Sequence, residues 1–208
     1  MKIREYEGKA QSVLLNNALE ELGVSEEEVV YYVTSQKVGL LKKEIFTLHL
    51  VTNEDIMEFI KEYLTNLTKD MGLDVSFETK IRDKQFQVKM YSDNNSILIG
   101  KGGQTLKALT TVVKQVVYNE INEYPHLILD VENYKEKKNS YLERNAKKIA
   151  KEVLRTKVDV HLDNMNSYER RIVHNALSEF KNISTTSEGE EPNRHIVIKY
   201  IDSKEKEE

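Results

Sequence analysis

The sequence predicts an α+β protein built from three small modules. Three observations carry this. Apolar residues recur at helical spacing in some stretches and alternate in others, two periods that separate helices from strands. Helical and strand stretches follow one another as helix, strand pair, helix pair, strand, which places helices on one side of a sheet. The periodic pattern breaks twice, near residues 53 and 131, and a length of 208 residues fits several small domains.

The first module, 1–53, reads as helix, short helix, then strands. Leu14, Leu15, Ala18, Leu19 and Leu22 share a helical face that Gly23 ends. Ser25 and Glu28 have capping-box spacing. Phe46, Leu48 and Leu50 alternate with Thr47 and His49 as in a half-buried strand.

The second module, 54–131, is the most regular. Asn53 to Asp70 forms an amphipathic helix, with Ile56, Phe59, Ile60, Tyr63, Leu64 and Leu67 on one side and Gly72 after it. Val75–Lys80 and Phe86–Met90 form a hairpin turning at Arg82-Asp83-Lys84. Ile97, Leu98 and Ile99 make a short apolar run before a glycine loop. A long helix follows with Leu106, Leu109, Val113, Val116 and Val117 on one face. After Pro125, His126–Val131 is a strand. The order is αββααβ.

The third module, 132–202, opens with a helix at about 136–156, its apolar face made of Leu142, Ala146, Ile149, Ala150 and Val153. A strand at Val158–Leu162 and a helix from Asn166 to Lys181, capped by Asn166 and Glu169, come next. Strands Ser184–Ser187 and His195–Ile201 close it, joined by the solvated loop Glu188–Pro192. Residues 203–208 belong to a charged tail.

Charge narrows the functions. The chain carries 31 Lys and Arg against 35 Asp and Glu, so it is no general polyanion binder. The segment nets are −2 for 1–53, −3 for 54–131 and +1 for 132–208. Residues 135–157 hold nine basic and three acidic side chains, which concentrates positive charge in the last third. With no cysteine there is no disulfide, thiolate nucleophile or Cys-ligated zinc. The five histidines show no metal-ligand spacing, and no nucleophile elbow is present. Neither catalysis, nor a cofactor, nor a metal site is expected. The N terminus lacks the apolar stretch of a signal peptide, and no run is long enough to span a bilayer. A soluble, cytoplasmic protein is expected.

The most informative stretch is Ile99-Gly100-Lys101-Gly102-Gly103-Gln104-Thr105. It lacks the first Gly and the final Ser/Thr of a Walker A loop and the third Gly of a dinucleotide fingerprint. It offers Gly-x-x-Gly between a short helix and a long one. Glycines let a phosphodiester backbone approach the main chain, and N–H groups near Gln104 and Thr105, at the start of a helix, favour an anion. Lys101 adds a positive charge at the tip, and Ile97 to Ile99 would floor an apolar groove for bases.

A second pattern lies on the last helix. Arg170 and His174 are four residues apart and share a face, with Lys181 beside them. On the preceding helix Arg144, Lys148, Lys151 and Arg155 form a basic stripe opposite the apolar face. Guanidinium, imidazole and ammonium groups suit phosphates and bases.

With the αββααβ order, the glycine loop resembles that of a type II KH domain. Tyr168-Glu169-Arg170-Arg171-Ile172-Val173-His174 resembles the core of the R-3-H domain, a single-stranded nucleic-acid-binding module. Thr186–Pro192 and Arg194–Ile198 are similar to the rest of that module in one bacterial family. That family is Jag, the SpoIIIJ-associated proteins, also called KhpB, whose members carry a Jag N-terminal domain, then KH, then R-3-H. Lys37–Glu44 is similar to the family's Gly-rich, Lys-Lys-containing segment but holds one Gly, and the charged linker of many relatives is nearly absent. The resemblance implies single-stranded RNA as ligand, held by the KH loop, in post-transcriptional control linked to cell division or the envelope. Single-stranded DNA is the competing ligand. The resemblance also implies protein partners: a small KH protein, and membrane-insertase or division proteins reached through 1–53. That second role is an adaptor, peripheral at the membrane or division site. A homodimer through an exposed KH edge is a further expectation.

Overall fold

The computed structural model describes residues 1–38 and 43–202. The middle of the Lys37–Glu44 segment and the 203–208 tail lie outside the described residues. The chain divides into two compact units, 1–132 and 133–208, so the first two expected modules lie in one unit.

The first unit opens with strand β1 (Arg4–Gly8), helix α1 (Gln11–Leu22), a single 3₁₀ turn at Glu26–Glu28, and strands β2 (Val29–Val38) and β3 (Lys43–Thr52). They form an antiparallel sheet in the order β1-β3-β2. Leu14 and Ala18 of α1 bury against Val29, Leu48 and Leu50. Gly23 ends α1 at φ 65°, a left-handed geometry that glycine adopts without strain. At Ser25 the backbone N–H and the hydroxyl both donate to the Glu28 carboxylate, at 2.9 and 2.8 Å. β1 is an addition to the sequence reading. Its five residues carry one large apolar side chain, Tyr6, too few to show a period.

Next come α2 (Asn53–Asp70), β4 (Val75–Arg82), β5 (Gln85–Ser92), α3 (Asn95–Ile99), α4 (Gln104–Ile121) and β6 (His126–Val131). Thr52 caps α2 by accepting the Asp55 N–H at 3.2 Å. Asp83 and Lys84 turn the β4–β5 hairpin with φ of 49° and 56°, the two-residue geometry that matches strand twist. β5 pairs antiparallel with β4 and parallel with β6. A parallel pair needs a crossover, and α3 with α4 supplies it, which places the glycine loop inside that crossover. Ile56, Ile60 and Leu64 of α2, Leu106, Leu109, Val113 and Val117 of α4, Val88 and Met90 of β5, and Leu129 of β6 are buried.

Arg4 of β1 pairs with Asp55 in the first turn of α2. Burial works against the Asp55 charge, but hydrogen bonds from Arg4 and Thr52 and the Arg4 charge outweigh it. They hold the carboxyl below its ordinary value.

The second unit contains α5 (Tyr134–Thr156), β7 (Val160–His161), α6 (Ser167–Leu177), β8 (Ile183–Glu188) and β9 (His195–Tyr200), with sheet order β7-β9-β8. Its core is Ala146, Ala150 and Val153 of α5, Val173 and Leu177 of α6, and Ile183, Ile196 and Ile198 of the sheet. The two alanines let α5 approach its neighbours closely. Lys138 pairs with Glu169, joining α5 to the first turn of α6. Two expectations are corrected. The strand expected at Val158–Leu162 shrinks to two residues, and Val158 is exposed. The helix expected to reach Lys181 stops at Leu177. The chain turns there, with Asn182 at φ 59°, so that Ile183 can pair with Tyr200.

Candidate nucleic-acid interface

The glycine loop is a short 3₁₀ turn, Lys101–Gly103, set between α3 and α4. Gly100, Gly102 and Gly103 have φ of 71°, 63° and 90°, where side chains with a Cβ are strained. The Gly100 N–H closes α3 on the Ser96 carbonyl at 2.9 Å, and the Gly103 N–H donates to the Gly100 carbonyl at 3.2 Å. The glycines differ in surroundings. A Cβ on Gly100 would stand 2.1 Å from Thr105 Oγ1, whereas one on Gly102 meets nothing within 4 Å. Gly102 and the exposed Lys101 therefore make the open tip, and Gly100 makes the packed base.

Two details differ from the sequence expectation. The Gln104 N–H donates to the Lys101 carbonyl, so it serves the turn and not an incoming anion. Leu98 is fully buried in the core, which leaves Ile97, exposed, and Ile99, half-buried, as the apolar groups beside the loop.

In the second unit Arg144, Lys148, Lys151 and Arg155 are all exposed on α5, as the spacing predicts. The Arg144 Nε also donates to the Ser140 carbonyl at 3.2 Å. On α6, His174 is exposed and its Nδ1 shares a hydrogen bond of 2.6 Å with the Thr185 hydroxyl of β8. Lys181 is exposed but sits in the turn after α6, not on its face. Arg170 departs furthest from expectation. Its side chain is 11% exposed and its Nη1 donates to Glu191 Oε1 at 2.8 Å and to the Met165 carbonyl at 2.9 Å. The Glu188–Pro192 loop, expected to be solvated, thus supplies a partner to the signature arginine.

Sequence reasoning passed over two aromatics. Tyr141 precedes Arg144 and Lys148 by three and seven residues, so it heads the basic stripe, and it is 59% exposed. Tyr168, beside Arg170 in sequence, is 61% exposed and its hydroxyl accepts from Asn139 Nδ2 at 3.0 Å. Exposed rings among cations are what base stacking needs. The signal was the helical spacing of Tyr141 to the stripe. Among the described residues, no group of three or more His, Asp or Glu could hold a metal ion, and no helix is long and apolar enough to cross a membrane.

Comparison with known proteins gives the class first. Residues 57–128 match the KhpA/KhpB KH domain model, and residues 140–200 match the R-3-H domain model. The chain is thus a tandem KH and R-3-H protein. It is 31% identical over 199 residues to the RNA-binding protein KhpB of Bacillus subtilis (strain 168), covering 93% of this chain and 96% of that one. It is 43% identical over 142 residues to KhpB of Clostridium symbiosum, covering 68% and 63%. Against KhpB of Streptococcus pneumoniae (strain D39) it is 27% identical over 154 residues, covering 73% and 47%. The match thus spans under two thirds of the clostridial relative and about half of the pneumococcal one. The chain belongs to the KhpB family.

Proposed function

We propose that this chain is a regulatory protein that binds single-stranded RNA through the KH loop at Ile99–Thr105 and through two surfaces of the second unit, the basic stripe of α5 and the Arg170/His174 side of α6. The observation that carries the reading is the loop tip: an exposed lysine beside a glycine with open space above it, flanked by apolar Ile97 and Ile99. A phosphodiester can approach the main chain there while bases lie over the isoleucines. In the second unit, Arg144, Lys148, Lys151 and Arg155 attract the RNA backbone electrostatically, with Tyr141, Tyr168 and His174 as stacking groups and Lys181 at the margin of α6. The names of the relatives, all RNA-binding proteins, support the ligand class. No catalytic step is part of this role. The division of labour is 1–53 for partner contact, 54–131 for KH binding, 132–202 for binding by the R-3-H module, and 203–208 as a tail. Fluorescence anisotropy with matched single-stranded RNA and DNA across a salt series tests it. Tighter RNA binding that weakens with salt supports the reading, since phosphate contacts release counterions and only RNA offers a 2′-hydroxyl. Equal or stronger DNA binding redirects it to single-stranded DNA.

A second reading has one observation in its favour. Tyr32 and His49 stack at 4.5 Å between ring centroids on the face of the N-terminal sheet, beside the exposed edge strand β2. A strand edge with an aromatic pair suits a protein partner, such as a small KH protein or an insertase or division component. The chain would then work as an adaptor at the membrane or division site. If 54–208 alone restores function in cells, this reading loses its surface.

A further inference from the structure

The Arg170 guanidinium already holds an anionic oxygen, and that oxygen is the chain's own. Nη1 bridges the Met165 carbonyl and Glu191 Oε1. The arginine side chain is 11% exposed while the glutamate side chain is 60% exposed. The carboxylate therefore reaches its seat from solvent, and rotation of one side chain vacates it. The loop backbone is pinned by other bonds. The Asn193 N–H donates to the Glu190 carbonyl at 2.7 Å and the Met165 N–H to the Arg194 carbonyl at 3.0 Å. Asn164 Nδ2 donates to Asn193 Oδ1 at 3.0 Å, and Glu188 is held by Lys199 at 2.7 Å. Departure of the Glu191 side chain leaves these bonds intact.

Carboxylate and phosphate oxygens make the same charge-assisted bonds to a guanidinium. We propose that Glu191 is an internal competitor for a backbone phosphate of single-stranded RNA at Arg170. The inference rests on the reading that the α6 surface at Arg170 and His174 contacts RNA. While Glu191 is seated, Arg170 is neutralised and the surface attracts polyanions less. A strand that places a phosphate at the seat exchanges one anionic oxygen for another. Apparent affinity of a strand that uses this seat is lowered by the fraction of molecules in which the seat is closed.

The test is anisotropy on the full chain with a single-stranded RNA across a salt series. The proteins are wild type, Glu191→Gln, Arg170→Gln, the double variant, and His174→Ala, one helical turn from Arg170, as a reporter of whether this surface is used. An exposed ion pair is worth little, so Glu191→Gln should tighten binding only about two- to fivefold. The log–log salt slope should stay close to that of wild type, because the same phosphates are engaged once Glu191 has left the seat. The gain should vanish in the double variant compared with Arg170→Gln. If Glu191→Gln binds as wild type or more weakly while His174→Ala loses affinity, the surface is used and Glu191 positions Arg170 without competing, which overturns the proposal. If the His174→Ala, Arg170→Gln and Glu191→Gln variants all bind as wild type, the reading that α6 contacts RNA itself fails. Should Arg170→Gln not fold, Glu190→Gln in the same loop replaces it as the charge control, and a gain equal to that of Glu191→Gln overturns the proposal.

Discussion

Gly100 and Thr105 are packed so closely that a Cβ on the glycine would stand 2.1 Å from the threonine Oγ1 and 2.9 Å from its backbone N. The first glycine of the loop is therefore required by the protein's own packing. Gly100→Ala should cost about 1–3 kcal/mol through a clash added to positive φ. Gly102→Asp, with open space around it, should cost about 1 kcal/mol from backbone strain alone. Thermal denaturation followed by circular dichroism checks the order. Equal losses at the two positions would mean that Thr105 does not constrain the loop base.

The Arg4–Asp55 pair makes stability depend on acid in a stated direction. Burial raises the Asp55 carboxyl, and the Arg4 and Thr52 hydrogen bonds with the Arg4 charge lower it by more. The folded chain therefore binds fewer protons there than the unfolded chain. The contribution is fully present above the unfolded value and is lost as pH falls through the lower folded one. Asp55→Asn should destabilise the chain by about 1–3 kcal/mol at neutral pH, since a charge-assisted pair is removed and Arg4 is left partly buried. Below about pH 4 the gap between variant and wild type should narrow. Denaturant melts at several pH values measure this, and a constant gap contradicts it.

Lys138 and Glu169 should matter to the second unit. Burial opposes the Lys138 charge, but the hydrogen bond and charge of Glu169 outweigh it and raise the ammonium above its ordinary value. Glu169 also closes the α6 cap, accepting the Asn166 N–H at 2.9 Å. Glu169→Gln keeps a cap acceptor and removes the ion pair, while Glu169→Ala removes both. The alanine variant should be the less stable by about 0.5–2 kcal/mol. Chemical denaturation separates them, and equal midpoints would mean that the cap adds nothing to stability.

On the α5 stripe, Lys148→Gln/Lys151→Gln should weaken RNA binding and flatten the salt slope by about 0.7 for each phosphate no longer engaged. Tyr141→Ala should weaken binding by about 1–3 kcal/mol if a base stacks there, with little change in slope. A slope change in the tyrosine variant, or none in the lysine variant, would reverse these roles.

Much of this was legible because the patterns were long and clearly ended. Helix Asn53–Asp70 and strand His126–Val131 have the bounds that their periodicity, with Gly72 and Pro125, indicates. Strand Arg4–Gly8 was hidden because Tyr6 alone carries its pattern. The end of α6 was overrun because the apolar spacing continues to Phe180 while the stop is set by Ile183 pairing with Tyr200, a distant strand. In the site, the loop tip and the basic stripe follow from local spacing. The Gly100–Thr105 packing depends on the turn between the helices. The Arg170–Glu191 pair joins residues 21 apart through a hairpin whose closure no local pattern encodes.

The central claim is that RNA is held at the KH loop. Anisotropy of wild type against Lys101→Asp/Gly102→Asp with single-stranded RNA tests it most directly, because these changes put carboxylates where phosphate should sit. A variant that is folded by circular dichroism and has lost RNA affinity at low salt is the predicted result. A folded variant that binds as tightly as wild type, with the same salt slope, would contradict the claim.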